Sequence, residues 1–579
     1  MKIVIIGGVA GGASAAARAR RLDEKADIIM LQSGPDVSFA SCGMPYYIGG
    51  EITDRHAMAV QTPDSLFKKL NIDVRVNTRV QDINTAEKKV TAKHEVTGEI
   101  LTTEYDQLIL AVGAEPFKPP IPGIDRPGLF SLRNLVDMDR IDAWITQRQQ
   151  QAESPVSEKK EENPAPKMHC VVAGAGFVGL EMVEQLMRRN FEVTLVEMMP
   201  QILGPLDVEM ALILQQALEQ RGTRVITGDA IAKFRDAPNG FPDASVVVLK
   251  SGIELPPAEM TILGLGVRPD TKVVKDAGIE CTPRGYIVVD DHLRTSVPDV
   301  WAVGDAIEVR NPILGGDEKW AVALAGPANR QGRMVADNIN GMERAFKGTW
   351  GASTVRIFNL HAACVGMNEK MCKANNLPFT SVHVHVGSHA GYYPGAKPIN
   401  LKLVFNREDG TIYGAQAVGE DGIEKRIDVI STAMQGKLTV ADLAELELCY
   451  APPVGSAKDP VNIAGMAAQN IVEGVVKQID WKDLKDAVND PNNCFLDVRN
   501  PGEIETNPVL VKGTITIPLT QLRGRLNELP KNKRVVVSCM SGQRAYYACR
   551  ILSQSGFENV CYLGGAFKTF QTTPDFGTF

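Results

Sequence analysis

Twice in this chain an apolar run breaks into a glycine-rich turn, enters a helix and returns as a second apolar run. The first copy reads as strand at 2–6, turn at 7–12, alanine-rich helix at 13–22 and strand at 28–31. The second reads as strand at 170–173, turn at 174–179, helix at 180–189 and strand at 193–196. Each is a βαβ unit of a parallel sheet, whose turn aims backbone N–H groups outward from a helix N-terminus. Two such units imply either two bound nucleotides or one duplicated scaffold.

At 579 residues the chain is too long for one hydrophobic core and predicts about three to five domains. A net charge of −7 argues against a general nucleic-acid binder, which carries a basic surplus. No apolar run reaches the roughly 20 residues of a spanning helix, so no membrane partner is expected. The apolar start ends at Gly7-Gly8, and Arg18, Arg20 and Arg21 follow, which reads as a buried first strand rather than a signal peptide. Ten cysteines scattered without framework spacing predict reduced thiols and a cytoplasmic location. No metal-ligand spacing occurs among them. The stretch 147–167, rich in Gln, Glu, Lys and Pro, reads as a surface insertion.

In the second turn, Gly174-Ala-Gly176-Phe177-Val178-Gly179 completes G-x-G-x-x-G, with Glu181 in the first turn of its helix. Glu197 closes the following strand, where a carboxylate accepts from a ribose 2′-OH and repels a 2′-phosphate, favouring NADH. The first turn, Gly7-Gly8-Val9-Ala-Gly11-Gly12, carries valine at the second glycine position, and Gln32 stands at its strand end. Its assignment therefore leans on three downstream segments. These are 105–116, containing Ala111 and Gly113; 261–269, containing Gly266; and 295–305, ending in Gly304-Asp305.

Together the four segments resemble the two-dinucleotide flavoprotein disulfide reductases over about residues 1–460. The resemblance implies FAD on the first unit, with Asp305 on the ribitol, and NADH on the second. It also implies a redox cysteine at Cys42, in Ser38-Phe-Ala-Ser41-Cys42-Gly-Met-Pro-Tyr-Tyr. Position 37 is Val and position 47 is Tyr, so a local C-x4-C dithiol is excluded. A lone thiolate either passes through a sulfenic acid or forms a mixed disulfide with an external thiol. Single-cysteine NADH peroxidases and oxidases carry a histidine in the first turn, where this chain has Ala10. The segments 7–21 and 38–42 look instead like coenzyme A disulfide reductases. By that match Ser14, Arg18, Arg21, Ser38, Ser41, Gln61 and Lys69 are candidate coenzyme A contacts. The family usually has asparagine where Ser41 stands. Arg18 and Arg21, three apart, are expected to share a helix face and meet the same phosphates.

His389-Ala-Gly-Tyr392-Tyr393 and the segment from Cys449-Tyr450 to Lys458 resemble the family's dimerisation domain. The resemblance implies a homodimer in which Tyr450 and one of Tyr392 and Tyr393 protonate the departing thiolate, while Lys458 binds coenzyme A. At the C-terminus, 535–538 run into Cys539-Met-Ser-Gly-Gln-Arg544, and with Leu496-Asp-Val-Arg499 this looks like a rhodanese domain. The C-x4-R spacing is that of a sulfurtransferase loop, so Cys539 would carry a persulfide. The family's Gly-His-Ile is replaced within 507–513, which leaves an inactive docking module as an alternative.

The expected fold is thus α/β throughout. An FAD-binding domain spans 1–145 and 245–325, and an NAD-binding domain spans 146–244. An α+β dimerisation domain takes 326–470 and a rhodanese domain 475–579. The expected activity is NADH-dependent reduction of persulfide, polysulfide or coenzyme A disulfide. An NADH oxidase or peroxidase, and a sulfur-carrying or redox-sensing flavoprotein, are the alternatives.

Overall fold

A computed structural model describes residues 1–153, 167–238, 243–573 and 577. The chain forms two compact units, Met1–Pro200 with Arg221–Gly351, and Gln201–Gln220 with Ala352–Phe579. No helix among the described residues is long and apolar enough to cross a membrane.

The first unit holds two five-stranded parallel sheets. One runs in the order Val300–Ala302, Gln107–Leu110, Lys2–Ile6, Asp27–Leu31, Asp73–Arg75. Its central strands are almost entirely aliphatic because helices cover both faces, and Ile3, Val4, Ile5, Leu108 and Ile109 are fully buried. The helix Ala10–Leu22 packs on the helix Ala325–Ile339. Small residues make that approach possible, since a Cβ on Gly332 would lie 2.1 Å from the Gly11 carbonyl oxygen.

The second sheet runs Arg224–Thr227, Glu192–Glu197, His169–Ala173, Met260–Leu263, Leu129–Phe130. It recruits strands from both sides of 146–244, so the chain enters this layer earlier and leaves it later than the sequence suggests. The helix Leu135–Glu153 runs into the stretch expected as a surface insertion. There Arg148 is buried, stacked 4.4 Å over the Trp144 ring and paired with Asp243 at 2.8 Å. Residues 154–166 of that stretch lie outside the described residues.

The second unit joins an antiparallel sheet to a parallel one. The antiparallel order is Ser353–Ile357, Leu360–Gly366, Ile412–Gly419, Pro398–Asn406, Phe379–Gly387. The parallel order is Gln478–Ile479, Val560–Leu563, Arg534–Ser538, Asn493–Asp497, Ile515–Thr516.

At the heart of this unit the Lys402 side chain is 0 % exposed. It pairs with Asp207 at 2.9 Å, with Glu369 at 2.8 Å and with Glu209. Lys482 closes on Glu369 from the parallel-sheet layer, and His383 meets Glu209 at 2.9 Å. The three carboxylates have the spacing of a cation site, and the lysine ammonium occupies that role. Burial alone would lower the Lys402 pKa, but Glu209, Asp207 and Glu369 together raise it. Burial likewise works to raise that of Glu369, yet Lys402 and Lys482 prevail and hold it at about 2.

Removing the cation should therefore cost more than any surface pair. Lys402→Met leaves buried carboxylates uncompensated and is expected to destabilise the protein by about 3–5 kcal/mol, read from denaturant midpoints. The ordinary Glu369 value is 4.5 and the folded one about 2. Its contribution is thus complete above the ordinary value and lost as pH falls to the folded one. Acid titration followed by near-UV circular dichroism checks this.

Candidate active site

In the first turn Gly7 has φ +98°, and a Cβ there would sit 2.1 Å from the Ala111 carbonyl oxygen. A Cβ on Gly12 would sit 1.9 Å from the Gly7 oxygen. Only glycine lets strand, turn and helix close so tightly. Val9 has a negative φ, −98°, so its position does not demand glycine. The helix Ala10–Leu22 has no acidic residue in its first turn and no side-chain cap, so its leading N–H groups suit a phosphate. Gln32 accepts from the Gly8 N–H at 2.9 Å, bracing the turn itself.

Beyond the turn, Gly113 has φ +72° and Gly304 φ +82°, and the Gly304 N–H donates to Gln331 at 2.7 Å. Half-buried Asp305 follows. Burial raises its pKa against the pull of Arg133, 4.0 Å away. A carboxylate so placed gains from hydroxyl donors, as a ribitol would supply.

The second turn repeats the geometry. Gly174 has φ +100° and would place a Cβ 2.1 Å from the Gly264 oxygen, and Gly179 would place one 2.0 Å from the Gly174 oxygen. Exposed Gly176 caps the helix Phe177–Arg188, and Val178 also faces outward. Glu197 accepts from the Ala175 and Met199 N–H groups at 2.7 and 2.8 Å, one on each oxygen. Met198 and Met199 lie exposed beside it, and Gly266, φ +93°, is also exposed. Glu181 faces elsewhere and accepts from the Tyr46 hydroxyl at 3.1 Å.

That bond belongs to the cysteine segment. Cys42 is exposed in the short turn Ser41–Gly43, ahead of the helix Met44–Ile48. Ser38, at φ +44°, donates its N–H to the Gly8 oxygen at 2.8 Å, tying the segment to the first glycine turn. On the far side Arg189 donates to the Ile48 oxygen at 2.9 Å and Gln185 to Glu51 at 2.9 Å. The cysteine thus lies on a bridge between the two nucleotide layers. Tyr46, Gln185 and Arg189 were not legible as site residues, because each acts through a partner far along the chain.

The candidate coenzyme A contacts divide. Ser14 donates to Asn329 at 2.6 Å. Gln61 accepts from Ser65 at 2.9 Å and from Lys69 at 3.5 Å, so Gln61 and Lys69 stand together by the helix Pro63–Leu70. Arg18 and Arg21 have different surroundings. Arg18 bonds buried Asp337 at 2.6 Å, with Arg344 on its other oxygen at 2.8 Å, while Arg21 is exposed. A buried carboxylate claims the first arginine.

In the second unit the Tyr392 and Tyr450 hydroxyls lie 2.7 Å apart, Tyr392 being 77 % exposed. The hydrogen bond shared with Tyr450 raises the Tyr392 pKa. Tyr393 packs edge-on against His389 instead. Lys458 is exposed.

Cys539 is 1 % exposed, and its Sγ accepts from the Gly542 and Ala545 N–H groups at 3.2 and 3.3 Å. Gly542, at φ +97°, opens the helix Gln543–Gln554. Arg544 bonds Glu503 through two 2.6 Å contacts, which bring the Glu503 pKa to about 2. Within the unusual segment 507–513, Leu510 and Val511 are buried against Trp481, Phe567 and Phe570, so packing replaces the missing motif.

Two variants should separate the nucleotide turns. Gly12→Ala is expected to purify without yellow flavin absorbance. Gly179→Ala should keep that colour yet lose roughly tenfold or more of its bleaching rate with NADH. Glu197→Gln with Met198→Arg removes the repelling charge and adds a cation. It should move the NADH-to-NADPH ratio of kcat/KM by at least about tenfold toward NADPH.

Residues 1–332 match the family of pyridine nucleotide-disulphide oxidoreductases, 352–460 its dimerisation domain, and 480–573 the rhodanese-like domain. A coenzyme A disulfide reductase of Staphylococcus haemolyticus is 33 % identical over 473 residues, 81 % of this chain and 100 % of that protein. The crystal structure of reduced Bacillus anthracis CoADR-RHD is 44 % identical, with a TM-score of 0.92 over 99 % of this chain and 98 % of its own. The NAD-dependent persulfide reductase from A. fulgidus is 34 % identical, with a TM-score of 0.87 over 98 % and 100 %.

Proposed function

This chain belongs to the pyridine nucleotide-disulphide oxidoreductases, and we propose that it is an NADH-dependent reductase of persulfide or polysulfide that uses coenzyme A as its working thiol. The observation that carries the reading is Cys42, an exposed free cysteine in a segment tied to both nucleotide layers, in a chain that also seats Cys539 among inward N–H groups. A sulfur carrier has little use in simple disulfide recycling, which favours persulfide over coenzyme A disulfide.

Gly7, Gly8, Gly11, Gly12, Gln32, Ala111, Gly113, Gly304 and Asp305 would hold FAD. Gly174, Gly176, Phe177, Val178, Gly179, Glu197 and Gly266 would hold NADH. The chemistry that FAD supplies when bound is two-electron transfer from NADH to sulfur. Cys42, as a thiolate, attacks the inner sulfur of a coenzyme A persulfide and releases hydrosulfide, leaving a mixed disulfide. Two electrons then cleave that disulfide, giving free coenzyme A and the Cys42 thiolate. Tyr450 and Tyr392 of one subunit protonate the leaving thiolate at the Cys42 site of the other, with Lys458 on coenzyme A. Ser14, Ser38, Ser41, Gln61 and Lys69 line the rest of that pocket, and Arg21 supplies the free cation. Cys539 collects sulfane sulfur and hands it to coenzyme A. The ten free cysteines suit a cytoplasmic setting.

Cys42→Ser is expected to drop NADH consumption with coenzyme A persulfide to background. Cys539→Ser should spare that reaction but stop delivery from a polysulfide donor. Mass spectrometry of small molecules released from the protein should find FAD and coenzyme A. Oxygen or peroxide turnover faster than persulfide turnover would overturn the reading in favour of an oxidase.

A further inference from the structure

The tyrosine pair stands on two loops far apart in sequence, and one side chain joins them. Arg426, in the helix Ile423–Gln435, is 1 % exposed. Its guanidinium donates to the Ser388 carbonyl at 2.9 Å, four residues before Tyr392. It also donates to both Asp459 oxygens, at 3.0 and 3.4 Å, next to Lys458, and to the Gly422 carbonyl at 3.0 Å. Asp459 in turn caps the helix Pro460–Val472 through the Val461 N–H at 3.0 Å and donates its own N–H to Asn462 at 3.1 Å. A backbone bond from Ala390 to Gly455, 2.8 Å, runs alongside. A planar fork with several fixed donors is the group that can hold two loops in register at once.

We propose that Arg426 is a positioning residue for the sulfur chemistry. It fixes the Tyr392 loop against the loop that carries Tyr450, so that the two hydroxyls meet. This rests on the reading that the tyrosine pair serves the departing thiolate. Arg426 touches no reacting atom. It acts by setting the place of groups that do, and displacement of such groups by about 1 Å costs up to roughly a hundredfold in rate.

Rapid mixing of the flavin-loaded dimer separates its two half-reactions. With Arg426→Met, flavin bleaching by NADH should match wild type, because its residues lie in the other unit. Reoxidation by coenzyme A persulfide should slow roughly ten- to a hundredfold, with Arg426→Lys between the two. In a Tyr392→Phe/Tyr450→Phe background, Arg426→Met should add little further loss. A full additional loss there, or an unchanged reoxidation rate in the single variant, overturns the positioning role. Wild-type reoxidation by the double phenylalanine variant instead overturns the reading of the tyrosines. Should Arg426→Met fail to assemble, Arg426→Met/Asp459→Asn removes both buried charges and keeps the helix cap, and the same comparisons decide.

Discussion

Everything in the first unit hangs on how closely a strand can hand over to a helix. At Gly7 and Gly12, and again at Gly174 and Gly179, a single added Cβ would stand about 2 Å from a carbonyl oxygen. No neighbour can move to relieve such a clash, because the atoms struck belong to the turn or to the adjoining crossover. The tight handover leaves uncapped helix ends at the carboxyl edge of each sheet, where a pyrophosphate finds N–H donors and a favourable dipole. It also fixes where Cys42 falls, since Ser38 bonds the Gly8 carbonyl and the helix after Cys42 is stitched to the second layer. A thiol on a free loop could not be held against a flavin in this way.

The second unit solves a different problem. Its two layers and the segment Gln201–Gln220 come from distant stretches of chain, and the fully buried Lys402, with Lys482 closing on Glu369, ties those pieces together. Lys402 gathers three carboxylates, two of them from the segment that enters from the middle of the chain. Arg426 gathers a carbonyl and a carboxylate from the loops that carry the tyrosines, and the Gly422 carbonyl at the start of its own helix. The choice of side chain follows the arrangement of acceptors. A compact ammonium suits a pocket of oxygens arranged around a point, whereas a flat fork suits acceptors that must be kept apart in a plane. Once such a pair is buried, removing either partner leaves an uncompensated charge, so the arrangement cannot relax without loss.

Local patterns were the legible part of this chain. Both turns, the missing dithiol partner of Cys42 and the loop around Cys539 depend on residues a few positions apart, and a sequence displays such spacings directly. Hidden features depend on pairings across hundreds of residues. Leu129–Phe130 joins the second sheet before its expected start because a parallel edge strand needs only two residues and no local signature. Arg18, read as a phosphate ligand, also bonds Asp337, more than three hundred positions away, a partner that no local spacing reveals. Separation along the chain also hides Lys402, whose partner Glu209 lies 193 positions away. Even the polar composition of 147–167 misled at its start, where Arg148 finds Trp144 and a carboxylate and so is buried.

On the proposed reading, two cysteines in unlike surroundings would divide the sulfur chemistry. Cys539 is enclosed, with two backbone N–H groups on its sulfur, and the one cation of its loop is already bonded to Glu503. Fixed dipoles stabilise an added anionic sulfur without needing a counter-ion, and enclosure shields it from attack by bulk thiols. That environment would suit the carrier role proposed for Cys539. Cys42 is exposed, with no such cage, in a short turn held rigidly between the nucleotide layers. An open thiolate can meet a large thiol substrate and release it, which a carrier must not do. Merging the roles would force one sulfur to be both protected and accessible, and separate domains remove that conflict while leaving a mobile thiol to run between them.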